Sequence, residues 1–202
     1  MKRTFDLLVV LFALIVLSPI FISTILIIII FDGFPVFYIQ KRVGVNGKMF
    51  NLYKFRSMKK DADKLGYTTF KNDNRIFFGG YFLRKYKIDE LAQLLNVFKG
   101  EMSIVGPRPT VLEDYNKMTI HQKLRNKITP GLTGLSQISG NTFLKWPERI
   151  KLDLEYIEKQ SFVYDLQIIF KTVIMVFSDK IDSETNESYV IPKTNHTYII
   201  II

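Results

Sequence analysis

The feature that most constrains this chain is a run of 25 residues without a charge, Leu7 to Phe31, reading LLVVLFALIVLSPIFISTILIIIIF. A helix that crosses a bilayer needs about 20 apolar residues, whereas the apolar part of a signal peptide runs about 7–15 and ends at small residues. The run is too long for the second, and no small-x-small site follows it, so it reads as a membrane anchor. Ser18 and Pro19 stand at its middle. An interior proline removes one backbone hydrogen bond and clashes with the carbonyl four residues back, which kinks or breaks a helix. A serine beside it re-satisfies a freed backbone group, which matters in lipid. Lys2 and Arg3 precede the run, and Lys41, Arg42 and Lys48 follow it. The positive-inside rule assigns both ends to the cytoplasmic face. A straight helix cannot meet that demand; a helix bent at Ser18-Pro19, entering and leaving by one face, can. From these clues alone a re-entrant helix and an ordinary kinked span both stay open.

The whole chain, at 202 residues and 48% hydrophobic composition, is long enough for one domain with its own core. It has no cysteine, which excludes disulfides, thiolate metal sites, cysteine nucleophiles and palmitoyl anchors. Two histidines argue against a multi-histidine metal site. The formal charge of +9 is unevenly spread. Residues 1–131 hold 21 Lys and Arg against 10 Asp and Glu, while residues 132–202 hold 7 against 9. A basic body favours anionic partners: nucleic acid, an anionic membrane surface or phosphorylated substrates.

Local patterning gives a coarse map. The stretch PVFYIQKRVGVNGKMFNLYKFRSM alternates around an Asn-Gly turn, which predicts a β-hairpin of residues 36–40 and 48–55. Residues 59–75 are polar and charged and read as a surface loop. The next segment reads as helices split by Gly79-Gly80 and closed by Lys99-Gly100. Residues 110–127 read as one amphipathic helix, and TPGLTGLSQISGN as loop and turn. WPERIKLDLEYIEKQ opens with proline at a first helical position. SFVYDLQIIFKTVIMVF fits a membrane-surface amphipathic helix or a packed core helix. The tail from Ser178 is polar and ends in an isoleucine run.

Basic residues cluster at Lys54, Arg56, Lys59 and Lys60, at Arg84, Lys85 and Lys87, and at Arg108, Lys123, Arg125 and Lys127. Any one such cluster is most simply a solvated face or a lipid-headgroup contact. Beside a carboxylate pair the same groups could hold a diphosphate, because arginine forks match phosphate oxygens. Mg²⁺ suits such a site, since it bridges one or two carboxylates and substrate phosphates. Asp89-Glu90 is that pair. Its plainer reading is a helix cap, as acids in a first turn complement the macrodipole. The two readings are compatible, since a helix N-terminus also favours anions.

The residues around the pair carry a resemblance. Asp89-Glu90, then Leu91-Ala92-Gln93-Leu94-Leu95-Asn96, Gly100-Glu101-Met102-Ser103 and Gly106-Pro107-Arg108-Pro109 stand in one order. Upstream lie KRTFD, LSP, QKRVG and YKFRSM; downstream lie PGLTGLSQISG and DLEYI. Residue 2 to about residue 178 thus closely resembles the monotopic phosphoglycosyl transferases, the bacterial sugar transferase family. The resemblance implies an α+β, mostly helical, membrane-associated fold. Its parts would be a re-entrant helix broken at Ser18-Pro19 (residues 1–34), a catalytic domain on the cytoplasmic face (35–178) with a small β-hairpin and amphipathic interfacial helices, and a polar tail (179–202).

It also implies an activity: transfer of a phosphosugar from a nucleotide diphosphosugar, usually UDP-linked, to polyprenyl phosphate, usually undecaprenyl phosphate, with release of UMP. In that reading Asp89 is the nucleophile that carries a covalent phosphosugar. Glu90 supports metal binding or proton handling, and Mg²⁺ is held by Asp89 and Glu90. The setting would be the bacterial inner membrane, with both termini cytoplasmic, at the first membrane step of capsule, O-antigen, exopolysaccharide or glycoprotein glycan synthesis. Lys54, Arg56, Arg84 and Arg108 are the candidates for holding substrate phosphates. The chain departs from the family pattern at Thr129, where many members have a basic residue, at Asn141, where many have a phosphate-associated arginine, and at Leu135, where some have tryptophan. Two other classes compete with this reading. A non-catalytic membrane-associated scaffold would use the acids only as a cap. A nucleic-acid binder is disfavoured by the anchor and by the lack of any nucleic-acid motif.

Overall fold

The computed structural model describes residues 1–62, 73–140 and 143–177. The tail from residue 178, residues 63–72 of the polar stretch, and Asn141 lie outside the described residues. The architecture is α+β and mostly helical, with one small antiparallel hairpin.

The apolar run forms two helices, α1 (Lys2–Val16) and α2 (Ser18–Asp32), which meet at Leu17 with a 62° bend. The break falls at Ser18-Pro19. Pro19 lies in the first turn of α2, where no N–H is needed, and Ser18 Oγ donates to Ile15 O at 2.8 Å. Among the described residues no single helix is long and apolar enough to cross a membrane; the bent pair together is.

Both ends of the pair are tied to the body of the protein. At the start of α1, Lys2 Nζ meets Asp165 Oδ2 at 2.5 Å and Arg3 Nη2 donates to Phe98 O at 2.8 Å. Buried Asp6 accepts from Ile104 N at 3.1 Å. At the end of α2, Arg56 Nη2 donates to Asp32 O at 2.8 Å and lies 3.0 Å from Asp32 Oδ2. The elbow between the two ends carries exposed apolar side chains, among them Phe12, Ile15, Val16, Ile20 and Ile22.

The hairpin pairs β1 (Phe37–Val43) with β2 (Met49–Phe55) in antiparallel register, Phe37 opposite Phe55 and Val43 opposite Met49. The first strand runs three residues beyond the expected Gln40, because the turn is confined to Val45–Gly47, with Asn46 and Gly47 both at positive φ. β2 contributes to two core clusters, through Leu52 and Phe55. One gathers Val10 of α1 with Leu52, Val97, Met102, Tyr156 and Ile168; the other gathers Ile28 of α2 with Phe55, Phe77, Leu83 and Ala92. Each half of the bent helix therefore seeds one cluster. Every large side chain so buried contributes about 1.5–3 kcal/mol.

α3 (Phe78–Lys85) contains Gly79-Gly80 instead of being split by them. A Cβ at Gly80 would sit 2.0 Å from Ser57 O, so the glycine is required by close approach to a backbone carbonyl. A 3₁₀ turn, Ile88–Gln93, leads into α4 (Leu94–Lys99), which ends at Gly100 in the left-handed conformation. β3 (Ser103–Val105) pairs in parallel with β4 (Gly131–Thr133), a pairing that the loop-and-turn expectation for TPGLTGLSQISGN missed. In the same stretch α7 (Leu135–Ile138) follows β4.

The single helix expected over 110–127 is three pieces: α5 (Leu112–Lys117), α6 (Ile120–Lys123) and a 3₁₀ turn (Leu124–Lys127). Buried Met118 is extended there, and Thr119 starts α6 through a capping box with Gln122, which resets the helix. α8 (Trp146–Lys159) begins with Pro147 in its first turn, as expected. α9 (Phe162–Phe177) buries Asp165 and Ile168 and leaves Phe162, Val163, Phe170 and Ile174 exposed, so it is part core helix and part apolar surface.

Candidate active site

Asp89 and Glu90 are held by a turn that neither of them caps. Lys87, at φ 55, occupies the N-cap position of the 3₁₀ turn, and the two acids are its second and third residues. The cap expected at Asp89 is therefore displaced by two residues. Tertiary contacts, not the helix end, decide where the carboxylates sit, since the 3₁₀ turn packs against β2.

Glu90 is fully committed. Its Oε1 accepts from Lys54 Nζ at 3.1 Å and from Arg108 Nη2 at 2.6 Å, and its Oε2 accepts from Arg108 Nη1 at 3.2 Å. Burial acts to raise its pKa. The charges of Arg108 and Lys54 and the Arg108 hydrogen bonds outweigh burial and hold the carboxyl well below the usual range. Asp89 is the opposite case. It is 7% exposed, and its Oδ1 is buried with no hydrogen-bond partner. Burial, then the neighbouring charge of Glu90, push its carboxyl up, against the pull of Lys54, Arg84 and Lys87. One acid is locked as a charged strut; the other is a buried, more basic carboxylate with an unpartnered oxygen. Environments that push two adjacent acids apart in this way mark functional sites.

The arm that brings Arg108 to Glu90 is built by two glycine contacts. Gly106 N donates to Thr133 O at 2.9 Å and Gly131 N donates to Pro107 O at 2.9 Å. A Cβ at Gly131 would fall 2.1 Å from Gly106 N, so the two backbones touch. The carbonyls on either side of the turn are also held: Arg125 Nη2 donates to Arg108 O at 2.8 Å and Arg42 Nη1 to Pro109 O at 3.2 Å. Arg125 in turn is anchored by Asp153, with Nε and Nη2 at 2.8 and 2.6 Å from Oδ2, while Ser136 donates to Asp153 Oδ1 at 2.9 Å. Asn96, wholly buried, accepts from Tyr53 N at 3.0 Å and donates to Asn51 O and Glu101 Oε2, both at 2.7 Å. It fastens α4 to β2, which bears Lys54.

Lys54 and Arg108 thus converge on Glu90, and Arg84 acts on Asp89 through its charge. Arg56 lies apart from them, turned to the end of α2, with its Nε and Nη1 buried and without partners. Ser18 and Pro19 are at the helix break. In the sequence Arg42 counts only as part of the basic flank of the apolar run, and Arg149 lies in no basic cluster. They join Arg108 and Arg125 around one cavity. Among the described residues no three Asp, Glu, His or Cys side chains converge on a point fit for a metal. The orphan Oδ1 of Asp89 fits one ligand of a hard cation, while both Glu90 oxygens already serve Arg108 and Lys54.

Comparison with known proteins gives this geometry its family. The profile of the bacterial sugar transferases matches residues 1–179. The chain is 40% identical over 186 residues to EpsL of Bacillus subtilis, an uncharacterised sugar transferase, covering 92% of each protein. It is 39% identical over 191 residues to the exopolysaccharide production protein ExoY of Rhizobium meliloti, covering 85% of this chain and 83% of that one. It is 38% identical over 189 residues to the UDP-glucose:undecaprenyl-phosphate glucose-1-phosphate transferase of Escherichia coli, covering 89% of this chain but 41% of that longer protein. With the match running through the broken helix, the Asp89-Glu90 turn and the Arg108 arm alike, the chain belongs to the bacterial sugar transferase family.

Proposed function

We propose that the chain transfers a sugar phosphate from a UDP-sugar to undecaprenyl phosphate, through a covalent intermediate on Asp89, in the synthesis of an exopolysaccharide or capsule. The observation that carries this reading is the buried Asp89 carboxylate with its unpartnered Oδ1, beside a Glu90 locked by Lys54 and Arg108. The relatives, a UDP-glucose:undecaprenyl-phosphate glucose-1-phosphate transferase of Escherichia coli and an exopolysaccharide production protein of Rhizobium meliloti, support the substrate class and the product class.

In the first step an Asp89 oxygen attacks the sugar-bearing phosphorus. The bond from that phosphorus to the bridging oxygen breaks, and its electron pair leaves with UMP. In the second step an oxygen of the lipid phosphate attacks the same phosphorus and frees the carboxylate. A carboxylate with a raised pKa is the better nucleophile, and its burial keeps water from the acyl phosphate. Lys54 and Arg108 offset the repulsion between a carboxylate and an anionic diphosphate. Mg²⁺, when bound, would be held by Asp89 and the substrate phosphates, with Glu90 contributing only if it exchanges an arginine contact; it supplies further charge neutralisation on the diphosphate. Splitting one displacement into two lets a water-soluble donor and a lipid acceptor use one site in turn. UDP-sugars incubated with the protein, Mg²⁺ and undecaprenyl phosphate should release UMP. Absence of release across a broad panel of UDP-sugars would favour a non-catalytic scaffold.

The same reading places α1 and α2 in one leaflet as a re-entrant element at the cytoplasmic face. Two features support it: the exposed apolar elbow around Ser18-Pro19, and the fastening of both outer ends to one body through Lys2, Arg3 and Arg56. α3 and α9 add exposed Phe78, Phe82, Phe162 and Phe170 to the apolar surface. Cysteines at exposed Thr4 and Lys48 should both resist a membrane-impermeant thiol reagent applied outside intact cells and react after permeabilisation. Labelling of one of them from outside would mean that the pair spans.

A further inference from the structure

We propose that Asn96 is a positioning residue for the transfer: its side-chain amide stands in for a third strand on the free edge of β2 and so fixes Lys54 against the Asp89-Glu90 turn. Arg56 N donates to Val36 O, and Lys54 lies opposite Tyr38, so the even-numbered residues of β2 turn their backbone groups to β1. Those of Asn51 and Tyr53 face the other edge, where among the described residues no strand lies. Asn96 fills that edge. Its Oδ1 accepts from Tyr53 N at 3.0 Å and its Nδ2 donates to Asn51 O at 2.7 Å, as one residue of a neighbouring parallel strand would. Asn96 is wholly buried, so without it both backbone groups would be left unpaired.

The joint needs an amide and nothing else at this position. Nδ2 also donates to Glu101 Oε2 at 2.7 Å, so both of its hydrogens go to acceptors and the oxygen is left for Tyr53 N. Glu101 is itself held, since its N donates to Asn96 O at 3.0 Å. A carboxylate at residue 96 would set an oxygen against Glu101 and Asn51 O, and an aliphatic side chain would pair neither edge group. What the joint connects gives it a catalytic consequence. Asn96 stands in α4, which continues directly from the 3₁₀ turn that carries Asp89 and Glu90. Tyr53 is the neighbour of Lys54, whose Nζ meets Glu90 Oε1 at 3.1 Å. The acid pair and the lysine strand are therefore joined twice, once by the ion pair and once through Asn96. The ion pair ends on a flexible four-carbon stem, so it does not fix the strand. The amide does, because it grips backbone. The proposal rests on the transferase reading, in which Lys54 offsets the charge of the diphosphate. In that reading a shift of the strand by about 1 Å costs up to about 10²-fold in rate.

Two readouts on the full chain in detergent test it, one of them without turnover. Trace acetylation with a succinimidyl ester, followed by peptide mass spectrometry, compares Lys54, whose side chain is 20% exposed beside Glu90, with the exposed Lys151. Well below the melting temperature, Asn96→Ala and Asn96→Asp should each raise the ratio of Lys54 to Lys151 labelling at least about threefold. A residue that only supports the fold would lower the melting temperature and leave that ratio unchanged. In UMP release from a UDP-sugar with Mg²⁺ and undecaprenyl phosphate, the same variants should lose about 10–10²-fold in kcat/KM. In a Lys54→Met background, Asn96→Ala should cost less than about twofold more, because the residue acts through the lysine. Glu101→Gln added to Asn96→Asp returns a donor to the pair and should recover part of both losses. Glu101→Ala leaves the two strand-edge bonds in place; it decides the matter where the Asn96 variants do not fold, and should move both readouts the same way by less. A labelling ratio unchanged in the folded variants, or a full further loss in the Lys54→Met background, would overturn the proposal. Normal UMP release with unchanged labelling removes the positioning role and leaves the transferase reading intact. A raised Lys54 ratio in a chain that releases no UMP removes the transferase reading and leaves the joint between Asn96 and Lys54.

Discussion

Asp89→Asn should remove UMP release, by at least about 10³-fold, and should at the same time raise the melting temperature. The first effect follows from replacing a carboxylate nucleophile by an amide. The second follows from burial. Asp89 is 7% exposed with an unpartnered Oδ1, and burial and Glu90 push its pKa up. A carboxyl with a raised native pKa binds its proton more tightly when folded than when unfolded. Its ionisation therefore withdraws stability as pH rises from the unfolded value, about 3.9, through the native one. At neutral pH the native state carries that penalty, and asparagine lifts it. Each 1 kcal/mol recovered moves the midpoint of a chain this long by about 2–4 °C. A plain structural residue would lose stability on substitution, so activity and stability moving in opposite directions is the signature of a site under functional strain. Thermal melts and UMP assays on the same preparations check it. A destabilised Asp89→Asn protein would remove the argument from strain.

Glu90→Gln should do the reverse to stability. Glu90 is bidentate to Arg108 and also meets Lys54, and these charges hold its pKa well below the usual range despite burial. Its contribution is present above the unfolded value, about 4.3, and is lost as pH falls through the native one. A neutral glutamine leaves two cations without a counter-charge. Breaking a buried pair from one side costs about 3–5 kcal/mol, and the lower end applies because the Arg108 side chain is 38% exposed and partly screened. Urea denaturation at pH 7 measures the loss. The acid limb of the stability profile should flatten in the variant. A Gln variant as stable as the parent across that range would mean that Glu90 is not the strut described. Adjacent acids with opposite stability effects would separate their roles without any substrate.

Parts of this picture are legible in the sequence because they are local. Ser18-Pro19 breaks the long helix whatever surrounds it, since the missing N–H belongs to Pro19 itself. Asn46-Gly47 fixes the hairpin because its positive φ values are cheap only for such residues. The capping box Thr119-x-x-Gln122 was equally local, and it marks where the helix expected over 110–127 is interrupted. The parallel pair β3 and β4 is different. Each strand has three residues, too few for periodicity, and their pairing depends on Gly106 and Gly131 meeting from separate segments. The candidate site divides in the same way. The spacing of Asp89, Glu90 and Arg108 is visible in one stretch. That Lys54 completes the Glu90 cluster, that Arg56 turns away to the end of α2, and that Arg42 and Arg149 gather behind Arg108 are products of the tertiary fold.

The central claim is that Asp89 itself bonds to the transferred phosphate. Its most direct test is intact-protein and peptide mass spectrometry of the full chain incubated with Mg²⁺ and a UDP-sugar, without lipid acceptor. The expected result is an added mass equal to one phosphosugar, located on the peptide bearing Asp89, discharged on addition of undecaprenyl phosphate and absent from Asp89→Asn. UMP release that proceeds normally in Asp89→Asn, or an adduct found on another residue, would contradict it.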